Sequence, residues 1–185
     1  MTERKTLIKM STRAKNIRYI VVHCQAGHGT LKSMQNFWKT SLGWKSPGYA
    51  TWIDYDGTRH KLADYNTPTN GVAGFNSQSL HLSYRGGVLH ENVNVAKDTR
   101  TQAQRNAILQ EIMLMMNWLS DNGNDLQNVM ILGHYHFSND KNKNGTIESW
   151  ERIKECPSFD AYKEYEDMML KENVMYHKLK LPRNR

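Results

Sequence analysis

Two apolar segments far apart in the chain each run straight into a histidine: IRYIVVHC at 17–24 and VMILGH at 129–134. Both are dominated by β-branched, aliphatic and aromatic residues, the composition of short buried strands. In an open α/β sheet, ligands collect at strand ends, where loops converge. Two strand-terminal histidines therefore predict an α/β domain with a central sheet. They also predict a site at the strand ends, built around His23 and His134.

The intervening sequence supplies the flanking elements. Residues 31–41 place Leu31, Met34, Phe37 and Trp38 on one helical face, and GWKSPG closes that helix. YATWIDY at 49–55 followed by DGT reads as a strand entering a turn, with a return strand over 59–63. Residues 64–78 are rich in Asn, Gly, Thr and Ser and read as a loop. SLHLSYR at 79–85 alternates with the two-residue period of a strand. Thr101 and Gln104 have capping-box spacing, and Ile108, Ile112, Met115 and Leu119 form the apolar stripe of the helix that follows. A last helix is expected over 162–170, with Tyr162, Tyr165 and Met169 inward, before the basic tail YHKLKLPRNR.

A chain of 185 residues suits one domain with a sizeable core. No apolar run reaches membrane-spanning length. The net charge of +7 favours encounter with polyanions, among them nucleic acid, acidic lipid and anionic wall polymers. Zinc-finger spacing, a basic helix with heptads and RNA-binding aromatic signatures are absent, so nucleic acid is not the expected partner. The basic N-terminus lacks an apolar core and a cleavage site, so no signal peptide is read there.

With only Cys24 and Cys156, the chain is not a disulfide scaffold. Three readings of Cys156 stand open on the residues alone. Two imidazoles and one thiolate, His23, His134 and Cys156, suit zinc with a fourth position left for water. Cys156 as a nucleophile with a histidine base is the second. A Cys24–Cys156 disulfide is the third, and it would remove the thiolate. Cys24 follows His23 directly, so strand alternation turns it away from the histidine's face.

VVHCQAG, GYATWIDYDGT, GFNSQSLHLSYRGG, DTRTQAQ, ILGH and KECPSFD occur in one order. That ordered set resembles the zinc-dependent type-2 N-acetylmuramoyl-L-alanine amidases, whose fold is shared with peptidoglycan recognition proteins. The resemblance covers residues 17–161. It implies a single α/β domain with a central mixed β-sheet flanked by helices, preceded by an extension over 1–16 and followed by the helix and tail of 162–185. It implies zinc on His23, His134 and Cys156. It carries two catalytic positions to Tyr49, in GYAT, and to Lys154, two residues before the ligand cysteine. In that scheme zinc polarises the amide between N-acetylmuramic acid and L-alanine. The Lys154 ammonium stabilises the developing oxyanion, and Tyr49 orients the water.

The sequence departs from the family around the groove. Ala50 stands where relatives often carry a histidine after the GY tyrosine, and Val72 is nearest to a second such position. Trp52, Asn76 and Arg85 are the candidates to replace those substrate contacts. His136 shares a face with His134 if the strand continues, which would make it a ligand or a donor to one. His81 lies on the polar side of its strand, near the site or simply half exposed. DKNKNGTIESWE at 140–151 puts Asp140, Asn142, Asn144, Gly145 and Glu151 at positions one, three, five, six and twelve of a calcium loop, with Glu148 at nine. The interleaved lysines and paired asparagines favour a metal-free loop held by Asx turns over a calcium site.

The expected function is zinc-dependent hydrolysis of peptidoglycan or a muropeptide by a monomeric enzyme. The alternative is a non-catalytic peptidoglycan binder using the same groove. The expected setting is a phage or prophage endolysin, cytoplasmic until lysis and antimicrobial in effect, with no stable membrane insertion.

Overall fold

The computed structural model describes residues 10–170. The basic tail at 176–185 lies outside the described residues. Five strands form one mixed sheet in the order β3-β2-β4-β1-β5. They are β1 (Tyr19–Cys24), β2 (Thr51–Ile53), β3 (Arg59–Lys61), β4 (Ser79–Tyr84) and β5 (Met130–Gly133). β1 runs parallel to β4 and β5, β2 runs parallel to β4, and the short β3 pairs antiparallel to β2 across the DGT turn.

The central position of β1 explains its composition. With a neighbour on each edge and layers on both faces, five of its six residues are buried. The first long helix, α1 (Leu31–Thr40), turns Met34 and Trp38 onto Trp52 of β2 and forms a small aromatic cluster with Trp44 and Tyr49. Phe37, expected inward, is instead exposed, because burial by the sheet takes only the narrower Met34–Trp38 edge of the helix.

On the main core, α2 (Gln102–Asp121) packs across β2 and β4. Thr101 Oγ1 accepts from Gln104 N at 3.0 Å while Gln104 Oε1 accepts from Thr101 N at 3.0 Å, the reciprocal cap read from the sequence. Ile108, Ile112, Met115 and Leu119 are all fully buried. Truncating one of them costs about 2–5 kcal/mol.

The last helix is shorter than the expected 162–170, and the described residues before β1 pack on the domain. Ala14 is fully buried and Arg13 donates to the carbonyls of Tyr65, Ser77 and Ser79, so packing begins before Ile17. The last helix, α3 (Ala161–Glu164), is a single turn followed by a 3₁₀ turn. Tyr165 and Met169 are buried as expected, and Tyr162 is half-buried.

Candidate metal centre

Register brings the two strand-terminal histidines together. Val22 pairs with Gly133 across the parallel β1–β5 ladder, so the next residues, His23 and His134, lie side by side at the C-terminal sheet edge. Their ring centroids are 4.8 Å apart. Cys156 arrives from the other end of the sequence, on the loop before α3. Its Sγ is 3.7 Å from His23 Nδ1, and one donor atom each from His23, His134 and Cys156 falls within 4.8 Å of the others. Tetrahedral zinc with its usual N and S bond lengths separates such a pair by ~3.6 Å. Two nitrogens and one sulfur with room for a fourth ligand fit zinc.

The Cys156 loop is held against the sheet from several sides. Tyr135 N donates to Cys156 O at 2.9 Å, and Tyr84 Oη donates to Pro157 O at 2.7 Å. Gly133 is required here, because a Cβ at that position would collide with the Pro157 ring. Cys24 N donates to Cys156 Sγ at 3.2 Å, a contact that favours the thiolate. Both cysteines are free thiols in the structure.

The electrostatics suit ligands that wait in their neutral forms. Burial, then the charges of His134, His81 and Lys154, lowers the His23 pKa well below that of a free imidazole. Burial, then Lys154, lowers His134 to about 4. Both rings are therefore unprotonated at neutral pH and able to bind a cation. Burial raises the Cys156 thiol, so metal uptake there would release its proton.

Lys154 is exposed beside this cluster, where it lines a cavity of about 210 Å³ with His134, Val72, Phe137 and Ile153. Tyr49 is also beside the cluster, its ring 5.0 Å from that of His23. Burial, then the nearby sulfurs, raises the Tyr49 phenol strongly, so at neutral pH it is a hydrogen-bond donor and not a base.

Other candidates fall elsewhere. Trp52 is fully buried, with Nε1 donating to Gln25 Oε1 at 3.1 Å, and is not available to a substrate. The Asn76 side chain accepts from Val72 N at 2.8 Å and so shapes the 72–76 loop instead of facing the cavity. Arg85 donates to His28 O and to Asp54, with its guanidinium over the Tyr55 ring, and acts as a clamp at the end of β4. His136 is displaced because β5 stops at Gly133 and the chain enters a 3₁₀ turn over His134–Phe137. Its Nδ1 contacts Gly133 N at 3.1 Å and its ring stacks on Tyr135, away from the cluster.

His81 is the reverse case. It is fully buried, not half exposed, and its Nδ1 is 3.1 Å from His23 Nε2. Sequence reading also missed Phe137 and Ile153 as cavity walls. Their only signal is adjacency to His134 and Lys154.

The 140–151 loop closes on itself. Asp140 accepts from Asn144 N and Gly145 N, and Glu151 accepts from the backbone N–H groups of Lys141, Asn142 and Glu148. Asn142 and Asn144 each accept from the N–H two residues on, as Asx turns do.

No protein-family model and no curated protein matches this chain. Solved structures do. The N-acetylmuramoyl-L-alanine amidase LysC of Clostridium intestinale URNW is 18% identical, with 88% of this chain and 94% of that one covered and a TM-score of 0.58. Bumblebee PGRP-SA is 16% identical over 82% of this chain and 81% of its own, with a TM-score of 0.58. A Drosophila PGRP-LB mutant in complex with tracheal cytotoxin is 18% identical over 81% and 80%, with a TM-score of 0.56. The fold is that of the amidases and peptidoglycan recognition proteins. At these identities the amidase-type fold is what the likeness establishes. It agrees with the mixed five-stranded sheet described above. Among the described residues, no helix of this amidase-type domain is long and apolar enough to cross a membrane.

Proposed function

We propose that this protein is a zinc-dependent amidase that hydrolyses the bond between N-acetylmuramic acid and L-alanine in peptidoglycan or its fragments. The observation that carries the reading is the convergence of His23, His134 and Cys156 at one strand edge of an amidase-type fold. Solved structures of the same fold include amidases and a protein in complex with tracheal cytotoxin, which supports a muropeptide as the substrate class.

Zinc held by this set supplies Lewis-acid polarisation of the amide carbonyl and of a water molecule. The chain's own groups do the rest. Lys154 places a positive charge at the cavity beside His134, where an oxyanion develops as the carbonyl carbon becomes tetrahedral. Tyr49 keeps its proton and orients the water or the carbonyl by donating a hydrogen bond. Val72, Phe137 and Ile153 give the cavity an apolar wall that limits water around the scissile bond.

The test is mass spectrometry of muropeptides after incubation with protein of measured metal content. Release of the intact stem peptide from the lactyl group, lost on chelation and restored by zinc, is the expected result. Binding of peptidoglycan fragments with no cleavage by the zinc-loaded protein would replace this reading with recognition alone.

A further inference from the structure

His81 is a costly choice for its position. It is fully buried in β4, where a leucine or phenylalanine would be the ordinary core solution. Its Nε2 has no hydrogen-bond partner among the described residues. Gly71 lies directly on its ring, so close that a Cβ there would collide with the imidazole. A buried polar atom left without a partner costs about 1–3 kcal/mol and calls for an explanation.

The other ring nitrogen supplies it. Val21 pairs with His81 and His23 with Ser83 across the β1–β4 ladder, so His81 and His23 lie on one face of the sheet, diagonal to each other. His81 Nδ1 sits 3.1 Å from His23 Nε2, while His23 Nδ1 faces Cys156 Sγ at 3.7 Å. We propose that His81 is a positioning residue that sets the tautomer of His23, holding its proton on Nε2 so that Nδ1 is bare and aimed at the zinc. This rests on the zinc reading above.

The chemistry leaves little freedom. A ring nitrogen that binds a metal carries no proton, so the other nitrogen carries it. That N–H is buried and needs an acceptor, and such partners orient ligand histidines and raise their basicity. His81 Nδ1 is the acceptor, which leaves the His81 proton on Nε2, the buried atom that has no partner among the described residues. The orphaned Nε2–H is thus the consequence of orienting His23. Gly71, packed on the His81 ring, is followed by Val72, which lines the cavity with His134.

The experiment compares the wild-type chain with His81→Phe and His81→Asn. Zinc affinity is read by competition with a chromophoric chelator, and ring protonation by long-range ¹H–¹⁵N NMR of the zinc-loaded wild type. Expected are a His81→Phe affinity about 10–100-fold weaker, recovery of most of it in His81→Asn, whose Oδ1 can accept in place of Nδ1, and a His23 proton on Nε2. Equal zinc affinity in wild type and a folded His81→Phe overturns the proposal. So does wild-type His23 with its proton on Nδ1, a readout that needs no variant to fold. Wild-type protein that takes up no zinc would instead bring down the metal reading itself, and this role with it.

Discussion

Two parts of the molecule gather metal-binding residue types, and they are built in opposite ways. His23, His134 and Cys156 come from distant stretches and meet at the rigid end of a sheet. Asp140, Asn142, Asn144 and Glu151 come from twelve consecutive residues and meet on a loop. In the first, the protein contacts around the donors orient them toward one another. In the second, the carboxylates accept backbone N–H groups of their own loop. Preorganisation by a scaffold marks a site prepared for something else, whereas the loop's oxygens already satisfy its turns.

The largest effect expected from breaking this contrast is at Cys156. Cys156→Ala removes the sulfur ligand, and both bound zinc and amide hydrolysis should be lost, a fall of roughly 1000-fold or more in kcat/KM if Lewis-acid polarisation is worth several kcal/mol. Metal analysis beside the muropeptide assay checks it. Lys154→Ala is expected to lower kcat by about 10²-fold or more while zinc content stays unchanged, since an oxyanion partner is lost but no ligand. Loss of zinc from that variant would make Lys154 part of the scaffold instead.

Smaller effects belong to the loop. Glu151 is buried and caps three backbone N–H groups, so Glu151→Ala should lower stability by about 1–3 kcal/mol, read by denaturant unfolding. Zinc affinity should change far less than in Cys156→Ala. A calcium titration of the wild type sharpens the same contrast: an unchanged Tm leaves the loop self-satisfied, and a rise at submillimolar calcium would make it a second metal centre.

The gentlest probe is acid. Burial pushes His136 down to about 4 and His81 down to about 3. Both ionise near ~6.5 when unfolded, so between those values the unfolded chain binds more protons than the folded one. Their contribution is fully present above ~6.5 and is lost as the pH falls through that window toward 4 and below. Stability of the metal-free protein should therefore decline from about pH 6.5 downward, and His136→Phe should flatten part of that slope.

Much of this was legible in the residues. Continuous apolar composition marked β1 and β5 as buried strands, the Thr101–Gln104 cap marked the start of α2, and its 3.6-residue stripe marked the core face. The ordered motifs named His23, His134, Cys156, Tyr49 and Lys154 together. What failed were inferences about side-chain surroundings. Trp52 looked like a groove aromatic because strand periodicity does not say which layer covers a face, and α1 covers it. His136 looked like a neighbour of His134 because the end of β5 was invisible, and a change from strand to 3₁₀ turn rotates every later side chain.

Local composition by itself determined that this chain has strands ending in histidine, a capped amphipathic helix and a turn-rich loop, because those properties depend on a few residues in succession. Tertiary structure alone decided that His81 lies behind His23, that Gly133 makes room for Pro157, and that Val72, Phe137 and Ile153 wall the cavity. Those facts depend on register and on which distant segments share a face, and no short-range pattern encodes them.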